Sequence, residues 1–427
     1  MNLIDRVLVF EVLQRYIIKN NMSIEGKVTF MKTVKIFLIF ILFVVFGCSS
    51  DNSQEDECKI ELISAIENED FQLALSILEN ESCNFTQEEK IINKALIYNI
   101  QGNVDFLEIS AYLAELISED EKYRKISLYL STDASSQNLQ NIEEALQVYS
   151  QINSDDDLVT YCYTYREDLT RKEQDICYFA GLSFLTKSVH TLFIGLANEG
   201  GSTAKQVANK FLLQAKRYTF CTEDRNQNNI IDEVDALLCA VKYSQGDNCD
   251  IDNLLLTTKD ITIDVQGNVY NYSLLKIKIK SDEDQCSIYE DVILYKLYSK
   301  DTNKIILTEN YCDQNYSPCD TPDENSCFPC PVFINGQMIP IIDTVTYSLN
   351  ASYKTIWSSF DAPEDTNMAK VSRDFLKEIC LPKPEDCICG RTDPCTEEDL
   401  DYYIVPLTIT EEALINYLQT HYQEEED

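Results

Sequence analysis

Residues 224–235 read Asp-Arg-Asn-Gln-Asn-Asn-Ile-Ile-Asp-Glu-Val-Asp, which puts oxygen-bearing side chains at the first, third, fifth, ninth and twelfth positions: Asp224, Asn226, Asn228, Asp232 and Asp235. A loop that offers oxygens at alternate residues can wrap a hard divalent cation. The other reading of the same letters is an Asn/Asp-rich interhelical loop that caps a helix and holds no metal. Cysteine is the second reactive set, with seventeen in the chain. Cys162/Cys177, Cys221/Cys239, Cys312/Cys319, Cys327/Cys330 and Cys387/Cys389/Cys395 lie close in sequence, as neighbourhoods and not assigned bonds. Cys327-Phe328-Pro329-Cys330 has the spacing of a redox pair, but Pro331 and a strand-and-turn sequence follow it where a thioredoxin-like site needs a helix. Structural disulfide chemistry is therefore the expectation there. The chain contains no GxSxG, HExxH, P-loop or CxxCH sequence, and only two His. Paired carboxylates of the kind used in glycoside hydrolysis leave no mark in a sequence.

The oxygen-rich loop resembles an EF-hand calcium loop. The resemblance implies a backbone carbonyl from Ile230 at the seventh position and Ile231 as the apolar residue that packs the loop onto its core. Asn229 stands where that family has Gly, and Asn accepts the left-handed turn more readily than most residues. Asp235 replaces the bidentate Glu. Residues 206–218 and 233–243 read as flanking helices, and Cys221 and Cys239 bracket the loop. The implied cofactor is a structural Ca2+.

Residues 31–50, MKTVKIFLIFILFVVFGCSS, have the layout of an export signal: Lys32 and Lys35, an apolar run from Ile36 to Phe46, then Gly47 and Cys48. A helix that spans a bilayer needs roughly 20 apolar residues, more than this run supplies. Val45-Phe46-Gly47-Cys48 resembles the lipobox of bacterial lipoproteins, which implies cleavage before Cys48 and a lipid on its sulfur. Ser49 at the following position implies outer-membrane sorting in a diderm bacterium. Met31 opens this signal better than Met1 does, so residues 1–30 read as an extension ahead of the true start.

The composition agrees with export. Setting Cys48 aside for lipidation leaves sixteen cysteines, an even number suited to pairing in an oxidising compartment, where a thiolate zinc site would compete with oxidation. The chain holds 35 Lys+Arg against 72 Asp+Glu, for a net charge of −37. Residues 1–47 contain six basic and three acidic residues, so the remainder carries −40. Such a body is repelled by nucleic-acid phosphates and by anionic headgroups, which excludes nucleic-acid binding and leaves the lipid as the membrane contact.

Residues 48–57 form a linker, and residues 58–255 read as an α-helical domain. Segments beginning Asp70-Phe71, Asp105-Phe106 and Asn141-Ile142 overlay, with Leu78, Leu113 and Tyr149 at matching offsets. This recurrence, with Ala95, Leu96, Tyr98 and Gly102 ahead of the second segment, resembles tetratricopeptide (TPR) helix pairs. An irregular helical bundle is the alternative. Asp155-Asp156-Asp157 reads as a turn or helix cap. Residues 175–197 are apolar around most of a helix and predict a central buried helix with His190 as a core residue. Residues 256–427 form a smaller β-rich, Cys-containing domain. Ile261, Ile263 and Val265 alternate before Gln266-Gly267, Lys276–Lys280 alternate after it, and residues 292–298, 304–308 and 344–353 read as further strands. Asn335-Gly336 is a hairpin turn signal. Helices around 366–380 and 410–422 and an acidic tail, 424–427, close the chain.

The fold class expected is α+β, a helical-repeat-like domain followed by a β-rich domain with terminal helices. The function expected is a non-enzymatic, lipid-anchored protein of the bacterial envelope that serves as a scaffold for a protein partner or ligand. A secreted hydrolase and a calcium-dependent adhesion module are the alternatives.

Overall fold

The computed structural model describes residues 53–104, 106, 109, 134–197, 254–279, 292–299, 304–321, 323, 325–361, 363, 366–390, 393–402 and 406–420. Cys48, the acidic tail and the loop residues Asp224, Asn226, Asn228, Ile230, Asp232 and Asp235 lie outside them, as do Cys221 and Cys239. Two compact units divide after Phe85. In the first, α1 (Ser53–Glu67) and α2 (Phe71–Glu79) form a hairpin. Asp70 caps α2 by accepting from the Leu73 N–H at 3.1 Å, and Cys58 is bonded to Cys83. Leu62, Ala65, Ala74, Ile77 and Leu78 are buried in it.

The second unit opens with α3 (Gln87–Gln101), started by a capping box in which Thr86 and Glu89 each accept from the other's backbone N–H. Helices α4 (Ser136–Tyr149), α5 (Leu158–Thr164) and α6 (Arg171–Ala197) follow. Asp157 caps α5, as its place in the acidic triplet predicts. The long α6 is the centre of this unit. Ile176, Ala180, Leu182, Phe184, Val189 and His190 are all buried along it. A polar bridge runs through the same core. Asn99 of α3 donates to the Tyr149 hydroxyl at 3.3 Å and accepts from the Ser183 hydroxyl at 3.0 Å, which satisfies three polar groups away from water.

The strands form small antiparallel sheets. β1 (Leu254–Val265) and β2 (Asn268–Ile279) make a long hairpin, continued by β3 (Val292–Ser299) and β4 (Lys304–Ile305). Gln266 and Gly267 turn the hairpin at φ 53° and 86°, the double positive φ of a two-residue turn suited to strand twist. Ile261, Ile263, Tyr272 and Leu274 face a shared core with Leu297 and Phe328. β5 (Thr308–Cys312) pairs with β6 (Phe328–Pro331), and β7 (Phe333–Ile334) with β8 (Gln337–Met338) across Asn335-Gly336, at φ 52° and 75°.

Residues 344–353, read from sequence as a strand, are the middle of a helix, α7 (Ile341–Ser358). Their β-branched and aromatic residues favour a strand locally, but burial recurs with a helical period. Val345, Leu349, Ser352 and Ile356 are covered while Tyr347 is 52% exposed. Pro340 starts the helix and α6 decides its state. A Cβ on Gly181 would lie 2.5 Å from Ile356 Cγ1, and one on Gly195 would lie 3.1 Å from Ile341 Cδ1. The two helices are therefore antiparallel and close over some fourteen residues, roughly 21 Å at the helical rise. Residues of α6 and α7 share one apolar core with α3 and α4.

The predicted closing helices are α8 (Asn367–Cys380) and, after β9 (Ile388–Cys389), β10 (Asp393–Pro394), α9 (Glu397–Leu400) and β11 (Leu407–Thr408), α10 (Glu411–Thr420). Arg373 of α8 is fully buried and donates to the carbonyls of Leu400 and Tyr402, at 3.0 and 2.6 Å. Asn350 of α7 both donates to and accepts from the backbone of Ile409, each at 2.9 Å. The architecture is α+β: mixed helices and small antiparallel sheets, with disulfides concentrated toward the C-terminal part.

Candidate functional site

Six disulfides are formed among the described residues. Cys162–Cys177 joins α5 to α6 within the neighbourhood read from sequence. Cys312 pairs with Cys330 and Cys319 with Cys327, so both cysteines of the CxxC sequence are bonded elsewhere and serve as structural staples. The C-terminal pairs are Cys380–Cys387 and Cys389–Cys395. Pairing on this scale belongs to an oxidising compartment, outside the cytoplasm. No helix among the described residues is long and apolar enough to cross a membrane.

The nested pair Cys312–Cys330 and Cys319–Cys327 frames an open cleft of about 950 Å³ between the start of α4 and the β5–β6 ribbon. Its acidic floor is Glu309. Ser135 caps α4 by accepting from the Asn138 N–H at 3.2 Å, and the next backbone N–H, that of Ser136, lies 3.3 Å from each Glu309 oxygen. A helix N-terminus favours a carboxylate at that point. The strand that carries Glu309 is irregular: its register with β6 shifts between Thr308 and Tyr311, and Asn310 takes φ 59°. Such a bulge re-aims the side chains around it.

Aromatic rings form much of the remaining wall. The Tyr316 hydroxyl donates to the Pro331 carbonyl at 2.9 Å, which ties the stapled loop to β6. Its ring meets Phe333 edge-on at 6.2 Å, and Phe333 is backed by Tyr270 at 4.7 Å. Tyr311 lines the cleft beside them. Burial raises the pKa of Tyr311 and of Tyr316, the latter also through the Glu309 charge, so both hydroxyls stay protonated donors at neutral pH. Gln140 of α4 hooks the β7–β8 turn: it donates to Asn335 Oδ1 at 3.0 Å and accepts from the Asn335 N–H at 3.3 Å. Within the loop, Asp313 accepts from the N–H groups of Asn315 and Ser317, and Asp323 from those of Asn325 and Ser326. Among the described residues the lining includes the carboxylates of Glu309 and Asp320 and no Lys, Arg or His.

A second cluster joins Lys304 to Asp343 at 3.4 Å and to Glu411 at 3.2 Å, at the first turns of α7 and α10. Burial raises the pKa of Glu411, and a hydrogen bond with Asp343 raises it further. Two carboxyl groups in direct contact are too close to flank a glycosidic bond, which needs roughly 5 Å or more between them. The cluster is a structural tie between helices. His190 is buried in α6 and does not line the cleft.

No group of three or more His, Cys, Asp or Glu side chains is placed to hold a metal among the described residues. The calcium-loop residues and Cys48 lie outside those residues. Sequence reasoning missed Glu309, Tyr311, Tyr316, Phe333 and Gln140. Their signal is faint: aromatics interleaved with the four cysteines of 312–330, beside a hairpin turn. No known protein family, curated protein or solved structure matches the chain.

Proposed function

We propose that this protein is an exported lipoprotein of the bacterial envelope, held to a membrane by lipid on Cys48, whose folded body is a non-enzymatic binding module that offers the stapled cleft to a ligand or partner. The disulfide framework is the observation that carries this reading, because it calls for the compartment that the signal-like residues 31–48 address. Outer-membrane sorting follows from Ser49. The recurring helical segments read as repeat-like: Leu78 and Tyr149 are buried at one matching position, and Phe106 and Ile142 at the other, where Phe71 is half-buried.

The decisive experiment is mass analysis of the native protein together with fractionation of Cys48→Ala. The expected native N-terminus is an acylated Cys48, and the variant leaves the membrane fraction. An unprocessed N-terminus, or a variant that stays with membranes, sinks the anchor.

The oxygen-rich loop adds a structural Ca2+ held by Asp224, Asn226, Asn228, Asp232 and Asp235 with the Ile230 carbonyl. An extracellular loop of this type binds with a Kd of roughly 10⁻⁴–10⁻³ M. Calcium at a few millimolar is expected to raise the melting temperature, and Asp224→Ala to abolish that rise. Superimposable melts of the native chain in calcium and in chelator would remove the ion.

A further inference from the structure

We propose that the cleft recognises a neutral saccharide; this rests on the reading of the cleft as a ligand site and names the ligand's class. Sugar rings present two kinds of surface: flat patches of C–H groups and an edge of paired hydroxyls. The cleft supplies a match for each. Tyr311, Tyr316 and Phe333 offer ring faces or edges, and Tyr316 is 37% exposed in the open cleft. Aromatic residues give large rigid contact at a small cost in conformational freedom while keeping a polar tip.

The hydroxyl edge needs fixed acceptors and donors. Glu309 supplies two acceptor oxygens steadied by the Ser136 N–H, and Gln137, exposed at the start of α4, supplies an amide. A carboxylate with two oxygens can accept from a pair of neighbouring hydroxyls. Among the described residues the lining holds no cationic side chain, which, on a chain of net charge −37, selects against phosphorylated, sulfated or uronic ligands.

A cationic peptide is the rival ligand for an aromatic and acidic cleft. It is less favoured because the Glu309 charge is already offset by the α4 N-terminus, and Asp320, the other carboxylate of the lining among the described residues, is exposed. The frame is also built for a ligand that brings little binding energy per group. Cys312–Cys330, Cys319–Cys327 and the Tyr316–Pro331 bond hold the walls before anything binds, which reduces the ordering cost of association.

The test is calorimetric titration of the detergent-extracted mature protein with neutral hexasaccharides: β-1,4-glucose, β-1,4-N-acetylglucosamine and α-1,4-glucose. Hexagalacturonate and hexalysine serve as comparators. At least one neutral hexasaccharide is expected to bind with a Kd below about 1 mM, and hexagalacturonate to bind at least tenfold more weakly. Tyr316→Ala is expected to weaken binding about tenfold or more. Because Tyr316 also ties the loop, Gln137→Ala and Glu309→Gln provide the second arm, each weakening binding with the melting temperature unchanged.

No binding of any neutral hexasaccharide at about 10 mM overturns the proposal, as does affinity untouched by all three variants. Hexalysine binding that Glu309→Gln abolishes, with no saccharide response, keeps the cleft as a site and replaces the ligand class. Failure of the anchor would instead appear in the fractionation of Cys48→Ala and leave these titrations unaffected.

Discussion

The helical centre and the stapled cleft are held together by opposite means. Among the described residues, 23 buried apolar residues form one cluster around α6 and α7, with a single disulfide inside it. Beside the cleft, the cluster under β1–β3 has six such residues among those described, and two nested disulfides close the β5–β6 ribbon. A small apolar core does not hold loops in place by burial alone, and covalent links take over that task. The difference separates rigidity from stability. In the helical centre, shape complementarity sets both together. At the cleft, the loop can be rigid while contributing little to the fold as a whole.

That contrast is open to direct attack. The largest effect is expected at Gly181, where an added Cβ meets Ile356 Cγ1, Thr355 Oγ1 and the Ile356 backbone nitrogen at 2.5, 2.8 and 3.1 Å. Gly181→Leu should force α6 and α7 apart and cost about 3 kcal/mol or more in chemical denaturation. A wild-type midpoint would refute the close crossing.

The next effect is at the cleft. Removing Cys319–Cys327, which spans eight residues, by Cys319→Ser with Cys327→Ser should cost the stapled loop about 2 kcal/mol of local stability. Hydrogen exchange should rise in residues 313–327 and leave α6 at its native protection. Loosening that spreads evenly into α6 would merge the two regions into one cooperative block.

The third effect concerns Lys296, buried on β3 at 7% exposure, whose pKa desolvation lowers to about 8. Here the folded pKa lies below the unfolded value of 10.5, so as pH falls through this window the unfolded chain takes a proton that the folded side chain refuses. Stability should therefore rise by about 2 kcal/mol between about pH 7.5 and about pH 9.5. Lys296→Met should flatten that slope and stabilise the protein at pH 7. A slope that survives the substitution would assign it to another group.

Local chemistry made some of this structure legible from sequence. Gln266-Gly267 and Asn335-Gly336 announce their hairpins because few other pairs accept two successive positive φ values. The apolar run of α6 announces a buried helix, and Asp157 its cap. Residues 344–353 misled because Thr344, Val345, Thr346 and Tyr347 favour a strand until α6 lies against them, and that contact is invisible along the chain. The cleft was hidden for the same reason. Ser136 meets Glu309 across 173 residues, and Gln140 meets Asn335 across 195. No spacing rule reaches so far. The CxxC sequence suggested structural rather than redox chemistry, but which sulfur meets which depends on the ribbon that brings Cys312 opposite Cys330.

The guanidinium of Arg373 couples α8 to the segment that follows it. Its donors end on the carbonyls of Leu400 and Tyr402, near the carboxyl end, and it lies wholly out of solvent. Until those carbonyls arrive, docking α8 would bury the cation with part of its donor set unmet, which is costly in an apolar interior. Docking of α8 and ordering of residues 400–402 are therefore coupled, and this region closes as one step.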